Sequence, residues 1–305
     1  MAEPLLGIQM DSDGAHALAV DPGTGRASVA DFVPWDSAPG RDPVAAFRAH
    51  PDVGSARGAT VVALPEEAVH NRYLEFPSMR AEALETAVRA TVLRYFPYQA
   101  EASRLVQVDC PPLSGERRRK GLLVFLLDRQ EVQRQAATMQ ALGRKLDHLE
   151  PGGLALARWM LWEDRELARG THLFVSLQRR EVVVGLLVSR LVYGTFRLRP
   201  PLLSLPEWQA GQSLEGLEPF AEVLAARVAS AAAFFRYRLV PREIVPDSAI
   251  VVGRRASDPV LLGALERRLG TPVRPLEPRR LQLPSGSSPA DYQVAAGLSL
   301  RNVEV

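Results

Sequence analysis

Few residue groupings in this 305-residue chain could do chemistry. Asp21-Pro22-Gly23-Thr24-Gly25 has the glycine content of a phosphate-cradling loop. It lacks the Gly-Lys-Ser/Thr ending and lies between two strand-like runs, so a hairpin turn is the better reading. Asp11 with Asp13, and Glu163 with Asp164, could be imagined as acid–base pairs, but neither has a nucleophile or base at a recognisable spacing, and a solvated position explains both. The single cysteine, Cys110, excludes an internal disulfide and any multi-cysteine metal site. His16, His50, His70, His148 and His172 are scattered, with no pair at ligand spacing, so no metal is expected. Arg117-Arg118-Arg119-Lys120 could touch anionic lipid or an acidic partner, although such runs are more often solvated hairpin tips.

Composition narrows the classes further. The chain exceeds the usual size of a single core, which favours two lobes. Hydrophobic content of 47% with 24% charged residues fits an ordinary globular protein. A formal charge of +2 gives no general reason to expect nucleic acid, even though only Lys120 and Lys145 among the 37 basic residues are lysines. The first residues, MAEPLLGIQMDSDG, lack the basic start and apolar core of a signal peptide. The longest apolar runs, 121–127 and 182–188, are of strand length, so no membrane span and a cytoplasmic location are expected.

The elements that must position these residues follow from periodicity. Runs at 5–10, 15–20 and 26–33 predict a β-meander, and the unbroken apolar run 59–64 predicts a buried strand. A short helix is expected around 44–50 and a strand over 71–76. Over 81–95, Leu84, Val88, Val92 and Tyr95 share one helical face, and Pro97 ends that helix. The runs 104–109 and 121–127 read as a strand pair. A helix over 129–142 capped by Asp128, a strand at 145–149 and a helix over 154–167 come next. The pattern then repeats: strands at 172–177, 181–188 and 191–198, a long helix over 217–237, a strand at 249–252, a helix over 259–269, a short strand at 272–275 and a helix over 290–299. Phe234, Phe235 and Tyr237 read as core packing for the long helix. Two successive units of meander, strand and helix imply two similar α/β lobes.

That order resembles the actin-like ATPase superfamily, and within it the PilM family of type IV pilus assembly proteins. The matching stretches are VVALPEEAVHNRYLEFP, the helix ending RYFPYQAEA, GLLVFLLDRQEVQRQAATMQALG, LDHLEPGGLALAR and VVGRRASDPVLLGALERRLGTPVRPLEP with AAGLSLR. Nearly the whole chain is covered in order. The resemblance implies a two-lobed actin-like, ribonuclease H-like α/β fold. Residues 1–68 with 151–170 would form the first lobe, 69–150 an inserted small subdomain shared with the division protein FtsA, and 171–305 the second lobe. The cytoplasmic part of the type II secretion protein GspL is similar.

In that superfamily two β-hairpins grip the phosphates of ATP, each with an acidic residue and a glycine. The first hairpin reads approximately Asp-x-Gly-Ser followed by a lysine. Here its place is taken by Gln9-Met10-Asp11-Ser12, with His16 where the lysine falls. At about 4 Å, a carboxylate such as Asp11 facing phosphate in a partly buried site costs several kcal/mol. The second hairpin offers Ser176-Leu177-Gln178 where Asp-x-Gly is expected, and the adenosine Gly-Gly pair is Gly253-Arg254. All three motifs depart together. The resemblance therefore implies a pseudo-ATPase with no cofactor and no catalytic residues. ATP and Mg belong only to the rival reading of a divergent but active kinase-like enzyme.

The working surface is then expected on the inserted subdomain. In the resembled family, a groove between the first lobe and that subdomain receives the cytoplasmic N-terminal tail of PilN, a bitopic inner-membrane protein. Aromatics and arginines are enriched in binding hot spots, which singles out Arg72, Tyr73, Arg94, Tyr95, Phe96 and Tyr98. The expected function is a cytoplasmic scaffold of a pilus or secretion platform, peripheral at the inner membrane through its partners. Pilus motor ATPases are further candidate partners, and self-association is open.

Overall fold

A computed structural model describes residues 5–10, 14–34, 43–48, 50, 53, 56, 58–95, 103–178, 181–199, 218–238 and 244–304. Its strands are β1 (Leu6–Met10), β2 (Gly14–Val20), β3 (Ala27–Pro34), β4 (Thr60–Leu64), β5 (Val69–Pro77), β6 (Ser103–Cys110), β7 (Arg119–Asp128), β8 (Leu146–Pro151), β9 (Thr171–Leu177), β10 (Val182–Val188), β11 (Leu191–Leu198), β12 (Ser248–Gly253) and β13 (Val273–Pro275). Its helices are α1 (Pro43–Arg48), α2 (Ala81–Tyr95), α3 (Arg129–Ala141), α4 (Gly152–Glu163), α5 (Glu218–Arg238), α6 (Pro259–Leu269) and α7 (Pro289–Ser299).

Two five-stranded sheets repeat one plan. The first has the order β3-β2-β1-β4-β8 and the second β11-β10-β9-β12-β13. In each, an antiparallel meander supplies three strands and two parallel strands extend the other edge. The parallel members carry the unbroken apolar runs expected of strands covered on both faces. TVVAL of β4 is buried at every position, as is the AIVV centre of β12.

A third sheet, β5-β7-β6, lies between β4 and α3 in the chain. α2 covers it with Leu84, Val88 and Val92, which pack against Leu74, Leu122, Val124 and Leu126. Glu82 in the first turn of α2 and Arg94 in the last complement the helix dipole. Asp128 accepts from the N–H groups of Gln130 and Glu131 and so starts α3. Asp258 does the same for α6, whose end is Gly270 at φ 64°.

Three sequence assignments change. The strand at 146–151, grouped by sequence with residues 69–150, pairs with β4 in the first sheet, and Met139 of α3 is buried in that sheet's core. The last helix, grouped with 171–305, is buried at every position from Tyr292 to Ser299 and packs against α4, β1 and β2 of the first lobe. A Cβ on Gly297 would meet the Ala155 carbonyl oxygen at 1.7 Å, so glycine alone allows α7 and α4 to approach this closely. Tyr237, expected in the core, is 57% exposed, whereas Phe235 is buried, because the two residues point from different faces of α5.

Candidate functional site

The two meanders end at a cleft between the lobes, a cavity of 370 Å³. Gln9 and His16 reach it from β1 and β2, Ser176 and Gln178 from the end of β9, Arg254 from beyond β12, and Asp291 and Tyr292 from the first turn of α7. The structure thus brings together Gln9, His16, Ser176, Gln178 and Arg254, which lie far apart in the chain. Asp11 and Ser12 lie outside the described residues. Gly253, at φ 96°, permits the turn: a Cβ there would meet the Leu177 carbonyl oxygen at 2.3 Å.

The cleft's polar groups are turned on one another. The Gln9 and Gln178 carboxamides approach across it to 3.5 Å. Arg254 is held bidentately by Asp291, with N···O distances of 2.5 and 2.7 Å. Asp31, the other carboxylate lining the cavity, is 2.8 Å from His50. The His16 ring lies between Phe32 at 4.7 Å and Tyr292 at 5.1 Å. Among the described residues no group of three or more His, Cys, Asp or Glu gathers at metal-ligand geometry.

Asp21 and Gly25 form the hairpin turn expected of them. The Asp21 carboxylate accepts from the N–H groups of Gly23 and Thr24, which holds its pKa below the usual value. Glu163, read from the sequence as merely solvated, instead accepts from the backbone N–H groups of Arg279, Arg280 and Leu281 and fixes that loop. Of the basic run, Arg119 pairs with Glu75 and Lys120 with Asp109, leaving Arg117 and Arg118 at the tip.

A second junction joins the inserted sheet to the second lobe. The Glu66 carboxylate, buried after β4, accepts from the Gly153 N–H at 2.6 Å and from the Thr195 hydroxyl at 3.2 Å. Burial, with Glu181 nearby, pushes its pKa up to about 7, against the opposing pull of the Gly153 and Thr195 bonds and of Arg197. Asn71 on β5 accepts from the Thr195 N–H at 2.9 Å and donates to the Thr195 hydroxyl oxygen at 2.6 Å. Glu67 accepts from Arg197 at 2.8 Å and Arg199 at 2.6 Å.

The predicted partner residues divide at this junction. Tyr73 is 2% exposed. Its hydroxyl donates to Glu75 and accepts from the Leu113 N–H at 2.7 Å, and its ring meets Tyr193 edge-on at 5.0 Å. This residue is interior packing and presents no face to a partner. Arg72 and Tyr95 do meet: the guanidinium carbon stands 3.4 Å from the Tyr95 ring centroid. Arg94 is exposed beside them, while Phe96 and Tyr98 lie outside the described residues. Sequence reading missed Phe234 of α5, whose ring lies 5.6 Å from the same guanidinium, as well as Glu66 and Asp291. The acidic residue directly after a buried strand and Pro65 was a usable signal for Glu66. Nothing local pointed to Asp291.

No family model matches the chain, and no curated protein matches it. Solved structures do. A chain of a PilM–PilN type IV pilus biogenesis complex superposes with a TM-score of 0.75 at 19% identity, covering 100% of both chains. The chain has an actin-like fold. The cytoplasmic domain of EpsL, an inner-membrane component of the type II secretion system of Vibrio cholerae, matches with a TM-score of 0.52 at 12% identity over 98% of this chain and 95% of that one. The ethanolamine utilization protein EutJ from Carboxydothermus hydrogenoformans matches at 0.53 and 11% identity over 97% and 88%. The meanders of the two lobes face each other across the cleft.

Proposed function

We propose that the chain is a scaffold of a type IV pilus or type II secretion-like assembly platform, a pseudo-ATPase that docks the cytoplasmic tail of a PilN-like membrane protein. The carrying observation is the likeness to the PilM–PilN structure over the full length of both chains. The interlobe cleft supports the non-catalytic half of the reading. Gln9 and Ser176 bring a carboxamide and a hydroxyl where the hairpins' acidic residues would hold magnesium, and Gln178 stands at the second glycine position, facing Gln9. Arg254 and Asp291 neutralise each other beside the adenosine position. These residues do not fit Mg-ATP, and no step is derived through it. No described helix is long and apolar enough to cross a membrane; membrane attachment is assigned to the partner.

The test is calorimetric titration of the full chain with a synthetic peptide of a PilN-like protein's cytoplasmic tail, alongside fluorescent ATP with magnesium. Saturable heat with the tail and a flat nucleotide titration are expected. No heat with the tail, together with saturable nucleotide binding, would overturn the reading and favour an active kinase-like enzyme.

A further inference from the structure

Among the described residues, Arg72 is a cation without a counter-ion. It rises from β5 and is stacked by Tyr95 at the end of α2 and flanked by Phe234 of α5, so three elements from two parts of the molecule fix it. Phe234 is itself held edge-on by Phe196 at 4.7 Å and 88°. Burial lowers the Arg72 pKa, and the opposing contributions come from Tyr95 alone. No described carboxylate lies within salt-bridge distance of it. The sequence around it is one-sided: α2 carries no Asp or Glu from Ala90 to Tyr95, and α5 none from Val223 to Arg238. Arg94 and Arg227 are exposed on those same stretches. Elsewhere Glu85 of α2 pairs with Arg89, and Glu222 of α5 with Arg267 and Arg268.

A guanidinium stacked on a ring keeps its N–H fork in the plane and aimed outward, which suits bidentate capture of a carboxylate. Tyr95 at 48% exposure and Tyr237 at 57%, the latter one helical turn beyond Phe234, add apolar surface on either side. We propose that Arg72, clamped between Tyr95 and Phe234, is the receptor for an acidic side chain of a partner peptide, whose neighbouring apolar residue rests on Tyr95 or Tyr237. Charge complementarity selects the occupant: positive charge and aromatic faces, with no paired acid among the described residues, fit an acidic and apolar segment. The surface opens between the inserted sheet and the second lobe. It therefore differs from the groove against the first lobe to which the resemblance assigns the PilN tail.

The bland alternative is that the stack only staples α2 to α5. A random decapeptide library displayed on phage and selected on the full chain separates the two. Selected peptides are expected to be enriched in Asp or Glu beside an apolar residue. That enrichment should vanish on Arg72→Gln, and affinity for the best peptide should fall about tenfold, since a charge-assisted hydrogen bond is lost. Arg72→Lys keeps the charge but loses the fork and should also weaken binding, with an unchanged Tm. Tyr95→Leu, which frees the clamp while leaving Arg72 in place, serves as the second variant should Arg72→Gln not fold. Failure to select any peptide, selection without acidic enrichment, or enrichment that survives Arg72→Gln would overturn the proposal. A PilN-like tail that binds equally well to wild type and Arg72→Gln leaves the platform reading intact, so the two can fail separately.

Discussion

Arg254 and Arg72 stand at two different junctions of the molecule, and their surroundings differ in kind. Arg254 lies in the interlobe cleft and is locked bidentately to Asp291. Arg72 lies where the inserted sheet meets α5, stacked on Tyr95 and flanked by Phe234. The first pair is closed: its charges cancel, and the neighbouring Gln9 and Gln178 carboxamides face each other. The second leaves a desolvated cation unanswered. A half-exposed cation stacked on a ring stays open to an incoming anion, which points to a use at that surface. The interlobe cleft reads as internal structure, and the inserted region carries the surface proposed to meet other molecules.

Substitutions can break or sharpen this contrast. The largest effect is expected from Asp291→Ala, which leaves Arg254 uncompensated in the cleft. A loss of about 2 kcal/mol in denaturant unfolding is expected, below the range for fully buried pairs because both groups keep some exposure. No change would mean that the cleft is not held by that pair.

Glu66 supplies the next effect, through pH. Its folded pKa of about 7 lies above the usual carboxylate value, so the folded state holds the proton more tightly than the unfolded state. Stability from this group is fully present below about pH 4.5 and is lost as pH rises through about 7. Glu66→Gln removes that dependence, so its stability relative to wild type should rise by about 2 kcal/mol between pH 5 and pH 8. Parallel curves for the two proteins would show that the carboxylate is ionised throughout.

A double-mutant cycle of Arg254→Met and Asp291→Ala should give a coupling of about 1–2 kcal/mol. The smallest effect belongs to Arg72→Met. Loss of the ring stack is offset by release of a partly desolvated charge, and stability should change by less than about 0.5 kcal/mol. A loss as large as that of Asp291→Ala would erase the contrast and mark Arg72 as structural.

Much of the fold was legible in the sequence, because it is written in local terms. The apolar runs of β4 and β12, the Leu84–Val88–Val92 face of α2 and the Asp128 and Asp258 caps each act within a few residues. The cleft positions were legible only through the resemblance, since Gln9, Ser176 and Arg254 share no local pattern. Tyr73 was misread as a contact residue because its exposure depends on Tyr193 and the Leu113 N–H, which lie far along the chain.

By itself the sequence determined the alternation of strands and helices and the repetition of one α/β plan. These follow from side-chain type and short-range spacing. Only the tertiary structure decided that β8 and α7 return to the first lobe, that Asp291 neutralises Arg254, and that Phe234 closes on Arg72. Those partners are separated by tens to hundreds of residues, and burial and charge pairing are properties of the neighbours a residue acquires on folding.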